Sequence, residues 1–158
     1  MAASRRPTRL PRRPRAGAAA GEPHRPRLGA RAADVAAAGI RLLVLDVDGV
    51  LTDGRLHYGA RGEELKVFHV RDGSGLVAVQ RAGIAVAIIS GRDSAAVTRR
   101  AAELGIRHVR QGVADKGAAL DQLLAELGVD AAATACVGDD TPDLPMLRRA
   151  GLAIGVAD

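Results

Sequence analysis

The 158-residue chain has one cysteine, no tryptophan, and only Tyr58 and Phe68 as aromatics. A lone cysteine forbids an internal disulfide. Cys136 lies in the apolar run Ala135-Cys136-Val137, so a buried, reduced thiol and a reducing, cytoplasmic compartment are expected. The longest apolar runs, 42–45 and 84–89, fall far short of the roughly 20 residues that cross a bilayer, which excludes a membrane-spanning helix. His24, His57, His69 and His108 share no ligand spacing, which argues against zinc. No repeat marks a solenoid. What remains is a chain 47% hydrophobic and 26% charged, the composition of one soluble domain.

The net charge of +5 is unevenly spread. Residues 1–40 hold nine Arg against Glu22 and Asp34, leaving +7, while residues 41–158 hold 14 Lys and Arg against 16 Asp and Glu, leaving −2. The same 40 residues carry five of the seven prolines and no aromatic, so they read as a disordered Arg/Pro/Ala-rich tail outside the domain of 41–158. Three roles for the tail stay open beside an inert one: an arm for anionic surfaces, an organelle transit peptide, or sequence upstream of a misplaced start. Without aromatics to stack on bases, any nucleic-acid binding is salt-sensitive and non-specific, and no specific nucleic-acid partner is expected.

From Arg41 onward, short β-branched runs alternate with Ala/Leu-rich stretches of helical period. Strands are predicted at 42–46, 85–90, 108–110, 134–138 and 152–155, and helices at 74–81, 94–104, 117–127 and 144–149. Five strands joined by crossovers imply an α/β fold with a mainly parallel sheet. Between the first strand and first helix, 55–70 reads as a hairpin insert that turns at Gly59-Ala60-Arg61-Gly62.

Ligands of such sheets bind beyond the carboxyl ends of the strands. Those ends are polar here: Asp46-Val47-Asp48-Gly49, Ser90-Gly91-Arg92, and Gly138-Asp139-Asp140 with Asp143 close behind, while Lys116 opens a helix. Clustered carboxylates repel one another and are costly to desolvate, and a divalent cation resolves both problems. Carboxylate oxygens suit Mg²⁺, which commonly serves phosphate chemistry. Asp46 then fits a nucleophile toward phosphorus, Asp48 a proton donor to the leaving oxygen, and Ser90 and Lys116 holders of phosphate oxygens. Each has a plainer alternative: Asp46 and Asp48 as turn residues, Ser90 as a helix cap, Lys116 as a surface lysine, Asp140 and Asp143 as first-turn acids that complement a helix dipole.

Four motifs in order, Asp46-Val47-Asp48-Gly49, Ile88-Ile89-Ser90-Gly91-Arg92, Ala114-Asp115-Lys116-Gly117 and Val137-Gly138-Asp139-Asp140-Thr141-Pro142-Asp143, resemble the haloacid dehalogenase-like phosphatases. The stretch from Gly62 to Leu76 narrows the resemblance to the 3-deoxy-D-manno-octulosonate 8-phosphate phosphatase family. That resemblance implies a Rossmann-like three-layer sandwich, a β-hairpin flap in place of a large cap domain, and a homotetramer completed by neighbouring chains. The implied reaction is Mg²⁺-dependent hydrolysis of a sugar-acid phosphate through an aspartyl-phosphate, on the route to lipopolysaccharide.

Carried over by position, the resemblance makes Asp46 nucleophile and metal ligand, Asp48 general acid/base and backbone-carbonyl ligand, and Asp139 the other metal ligand. Asp140 and Asp143 support them. Ser90, Gly91 and Lys116 hold phosphate; His69, Val70, Arg71, Asp72 and Gly73 line the substrate site beside Asp48; Arg92 and Arg100 offer cations to phosphate or sugar carboxylate. Arg99, Arg100 and Arg107 fit solvated surface charges as well, and His69 fits a strand residue packed beside Phe68. Two rival functions remain: the same chemistry on a nine-carbon sialic-acid-type 9-phosphate, and a non-catalytic tetramerisation module. The resemblance also implies further sheet and helix beyond Val156-Ala157-Asp158, so a truncated C-terminus with weaker assembly and stability is expected.

Overall fold

Alternation within the apolar runs builds the sheet. In β1 (Leu42–Leu45), Leu42 and Val44 enter one apolar layer and Leu45 the opposite one, because successive side chains point to opposite faces. The same division recurs in β4 (Ala85–Ile89), where Ala87 and Ile89 face one way and Val86 and Ile88 the other, and in β6 (Thr134–Gly138), where Cys136 and Val137 part. A strand buried on both faces reads as a continuous hydrophobic run and requires helices above and below.

The computed structural model describes residues 37–60 and 64–157. The expected disorder of the tail therefore lies outside the described residues as far as 36, as do Arg61 and Gly62 of the hairpin turn. Ile40 closes a helical turn on the Ala37 carbonyl, and Arg41 donates to Ala133 to enter the sheet. Five parallel strands follow the order β5-β4-β1-β6-β7, with β5 at His108–Arg110 and β7 at Leu152–Gly155. One helix layer, α1 (Val70–Arg81) and α2 (Ala95–Glu103), packs Leu76, Val97 and Ala101 on one face. The other layer, α3 (Lys116–Leu127) and the single turn α4 (Leu144–Leu147), brings Leu120, Leu123 and Met146 to the opposite face. This is the expected α/β three-layer sandwich. The insert is a two-stranded antiparallel hairpin, β2 (His57–Tyr58) with β3 (Glu64–Leu65), and no larger cap stands among the described residues.

Two boundaries differ from the sequence reading by more than one residue. Helix α1 begins at Val70, not Ser74, because the His69 side chain accepts from the Arg71 N–H and caps the helix. His69 is thus a helix cap and not a strand residue, and Val70, Arg71, Asp72 and Gly73 form the first helical turn. Helix α4 stops at Leu147, where Arg148, Arg149 and Ala150 close on preceding carbonyls in a turn.

Candidate active site

The chain leaves β1 toward β4 and β5 on one side, then returns to β6 and β7 on the other, so β1 lies at the topological switch point. Register makes the site. Leu45 pairs with Ile88 in β4 and with Val137 in β6, so Asp46 emerges between two strands that end in Ser90 and Asp139. The Asp46 N–H donates to Val137, which ties the turn to the neighbouring strand. The Val47 carbonyl then accepts from the N–H groups of Val50, Leu51 and Thr52, winding a tight loop that contains Asp48. Gly49 has φ +91°, and a Cβ there would run into the Asp139 carboxylate, so only glycine lets this loop approach the end of β6.

Lys116 reaches the first cluster from the N-terminus of α3, whose start is fixed by Asp115 capping Gly117 and Ala118. Its ammonium donates to Asp46 at 2.8 Å and to Asp143 at 2.6 Å. Asp143 is 1% exposed, and its other oxygen accepts from the N–H groups of Asp139 and Asp140. Asp140 caps the short turn Thr141–Asp143 through the Thr141 N–H, a supporting role in the loop.

Carboxylate oxygens of Asp46, Asp139 and Asp143 lie within 4.8 Å of one another, and set against the Lys116 ammonium that Asp46 and Asp143 share, the three carboxylates carry a formal surplus of two negative charges. Burial lifts the Asp46 carboxyl above its ordinary range against the pull of Lys116, while partial desolvation against the buried cluster, with the charges of Asp46 and Asp143, lifts Asp139 even though its side chain reaches solvent. Burial alone would depress Lys116, but its hydrogen bonds to Asp143 and Asp46 hold it above the usual lysine value. An all-oxygen donor set with surplus negative charge and one solvent-exposed member, Asp139, fits a hard divalent cation such as Mg²⁺. Asp143 joins this cluster by a side-chain oxygen, whereas the Asp48 side chain is engaged elsewhere.

The Asp48 carboxylate is held between two cations. Lys66 donates to one oxygen from the segment that follows β3, and the Arg92 Nε lies 3.6 Å from the other. Arg92 also donates to the Tyr58 hydroxyl and lies over its ring, so both cations connect Asp48 to the hairpin. Ser90 is buried at the end of β4, its hydroxyl accepting from the Arg92 N–H. Gly91 beside it is exposed.

The remaining site residues form the rim. Arg100 pairs with Glu103 at 3.2 Å and lies against Gly73, where a Cβ would strike its guanidinium. Lys66, Arg99 and Arg100 line a groove of about 430 Å³ on one side of the flap. On the other side, Asp53, Phe68, His69 and Asp72 line one of about 550 Å³. Asp46, Asp139, Asp143 and Lys116 are thus one cluster and Asp48 with Arg92 a second, while His69 to Asp72 and Arg100 stand at the rim. The sequence reading missed Lys66; its signal was a lysine alternating between Leu65 and Val67 in the hairpin. Cys136 is fully buried in β6, its thiol pushed up to about 12 mainly by burial.

The family profile of haloacid dehalogenase-like hydrolases matches residues 63–151, more than half of the chain. The chain belongs to that family of hydrolases. Its relatives narrow the class: it is 49% identical over 119 residues to the 3-deoxy-D-manno-octulosonate 8-phosphate phosphatase KdsC of Haemophilus influenzae, covering 75% of this chain and 66% of that one. Against the KdsC of Escherichia coli K12 the identity is again 49%, with 75% and 63% covered. The chain therefore spans just under two thirds of the length of these curated relatives. Among solved structures it resembles the Moraxella catarrhalis phosphatase in complex with magnesium, phosphate and KDO (TM-score 0.75, 49% identity, 77% of this chain and 70% of that one). It also resembles the cobalt-bound H. influenzae phosphatase (TM-score 0.76, 47% identity, 78% and 72%).

Proposed function

We propose that this chain is a Mg²⁺-dependent phosphomonoesterase that hydrolyses 3-deoxy-D-manno-octulosonate 8-phosphate to the free sugar acid and inorganic phosphate. The observation that carries the reading is the Asp46 carboxylate at the switch point, pinned by Lys116 within a carboxylate cluster two charges short of neutrality. Identity of 49% to phosphatases of that name supports the substrate.

An Asp46 oxygen attacks phosphorus, the bond from phosphorus to the sugar oxygen breaks, and Asp48 gives its proton to that oxygen. Water then attacks the phosphorus of the aspartyl-phosphate, Asp48 takes the water's proton, and Asp46 is regenerated as phosphate leaves. Asp46, Asp139 and the loop at Asp48 would hold Mg²⁺, with Asp143 buttressing them, and the ion when bound would supply positive charge to offset that on the transferring phosphoryl group. Lys116 orients Asp46, and with Ser90 and the Gly91 backbone it receives phosphate oxygens. Arg92 and Arg100 provide planar donors suited to the sugar carboxylate, with His69, Val70, Arg71, Asp72 and Gly73 forming the adjoining wall.

A homotetramer in the cytoplasm, on the route to lipopolysaccharide, completes the proposal. Leu56, Tyr58, Leu65, Val67 and Val70 are exposed together on and beside the flap, an apolar surface suited to a second copy of the chain. No helix among the described residues is long and apolar enough to cross a membrane.

The test measures phosphate release from the eight-carbon substrate with and without Mg²⁺, beside the nine-carbon 9-phosphate and a generic phosphoester, with Asp46→Asn as control. Release that requires the metal and Asp46 and favours the eight-carbon substrate is expected. Preference for the nine-carbon compound would reassign the substrate. A folded, metal-loaded protein that releases nothing would point to a structural module and overturn the proposal.

A further inference from the structure

The hairpin inverts the usual distribution of side chains. Leu65 and Val67 are 67% and 63% exposed, while the Lys66 side chain between them is 1% exposed. A lysine just past a short surface strand ordinarily leaves its ammonium in water, and burying it sacrifices hydration and rotamer freedom. Here the ammonium is turned inward onto Asp48. The second cation at Asp48, Arg92, is itself bonded to Tyr58 of the same hairpin. Flap and acid/base are therefore joined at both carboxylate oxygens, and both joints depend on the hairpin lying over the site.

The geometry points to Lys66 as a positioning residue for Asp48: carried on the flap, its ammonium fixes the orientation of the carboxyl group that exchanges the proton with leaving oxygen and water. The inference rests on the phosphatase reading for its catalytic consequence. Lys66 touches no reacting atom in this scheme; it acts through Asp48. Its loss should therefore lower kcat more than it raises KM.

The experiment compares Lys66→Met, Lys66→Arg, Asp48→Asn and the Lys66→Met/Asp48→Asn double variant in the full chain. Lys66→Met is expected to lower kcat about 10- to 100-fold, the range seen when a partner orienting an active-site group is removed. KM should change little, Lys66→Arg should recover part of the loss, and Lys66→Met should add nothing in the Asp48→Asn background. A raised KM with kcat retained, or additive losses in the double variant, overturns the inference. A second readout needs no turnover: Asp48→Asn should speed amide hydrogen exchange at Lys66, Val67 and Phe68, and unchanged exchange there overturns it. Faster exchange in a protein that turns over none of the phosphoesters would uphold the Lys66–Asp48 coupling while removing the phosphatase reading.

Discussion

Replacing Lys116 with Met removes the ammonium that, among the described residues, serves both Asp46 and Asp143, at 2.8 and 2.6 Å, while keeping the length of the side chain. All three side chains are less than a tenth exposed, so water cannot take over. Removing one partner of a buried pair costs about 3–5 kcal/mol, because the other charge stays buried and unpaired. That is a large part of the roughly 5–15 kcal/mol that stabilises a domain. At about 4 °C per kcal/mol the melting temperature should fall by roughly 12–20 °C. The assay is urea and thermal unfolding at pH 7 in chelator, so that no bound cation masks the deficit.

The pH dependence has a definite sign. Asp46 has a folded-state pKa above 3.8, so its contribution to stability is fully present below that value and lost as pH rises through the folded value. Without Lys116 the folded value climbs further, so the variant's deficit at pH 7 should shrink as pH falls toward 4. Lys116 has a folded-state pKa above 10.5, so its contribution is present below 10.5 and lost as pH rises past the folded value. Wild type and variant should therefore converge at the alkaline end too. Adding Asp46→Asn to Lys116→Met should restore about 1–3 kcal/mol by removing the stranded charge. A single variant within about 1 kcal/mol of wild type at pH 7 in chelator would refute the reasoning, since a buried lysine serving two carboxylates cannot be removed so cheaply.

Mg²⁺ at a hundredfold excess over its Kd should stabilise the protein by about 2.7 kcal/mol, read as a thermal shift that chelator reverses. Because Asp46 and Asp139 both have raised pKa values, protons compete with the ion above the ordinary carboxylate range, and the shift should diminish as pH is lowered. Gly49→Ala places a methyl on the Asp139 carboxylate at a backbone φ of +91°; a loss of about 1–2 kcal/mol from the backbone alone and a weakened Mg²⁺ shift are expected by calorimetry. Gly73→Ala should push the Arg100 guanidinium off α1. On the proposal that Arg100 serves the sugar carboxylate, steady-state kinetics should show KM raised about tenfold, the worth of one charge-assisted hydrogen bond, with kcat retained.

The sheet was legible because every central strand is an apolar run that stops at a polar residue, and β1, β4 and β6 do so at Asp46, Ser90 and Asp139. Helix α3 announced itself through Asp115 at the cap and Gly128, at φ +61°, beyond the end. Helix α1 concealed its first turn. Gly73 and Gly75 weaken its intrinsic propensity, and its cap is a histidine, outside the Ser, Thr, Asp and Asn set that marks a helix start. Gly73 stays in the helix because Arg100 occupies the space a side chain would fill, a tertiary reason that no local window contains.

The site divides along the same line. That Asp46, Asp48, Ser90 and Asp139 lie together at the carboxyl ends of strands, with Lys116 opening a helix beside them, was readable because parallel register brings strand ends together. The pairing of Asp143 with Lys116 and of Lys66 with Asp48 was not readable, since each joins residues 27 and 18 positions apart through contacts that only the folded chain makes. Yet the second pair left a trace. A stretch in which Leu65 and Val67 face water while Lys66 faces inward has the pattern of a solvated hairpin reversed. The exposed Leu65 and Val67 and the buried Lys66 are therefore one design constraint: the alternation that puts an ammonium on Asp48 also turns two apolar side chains outward.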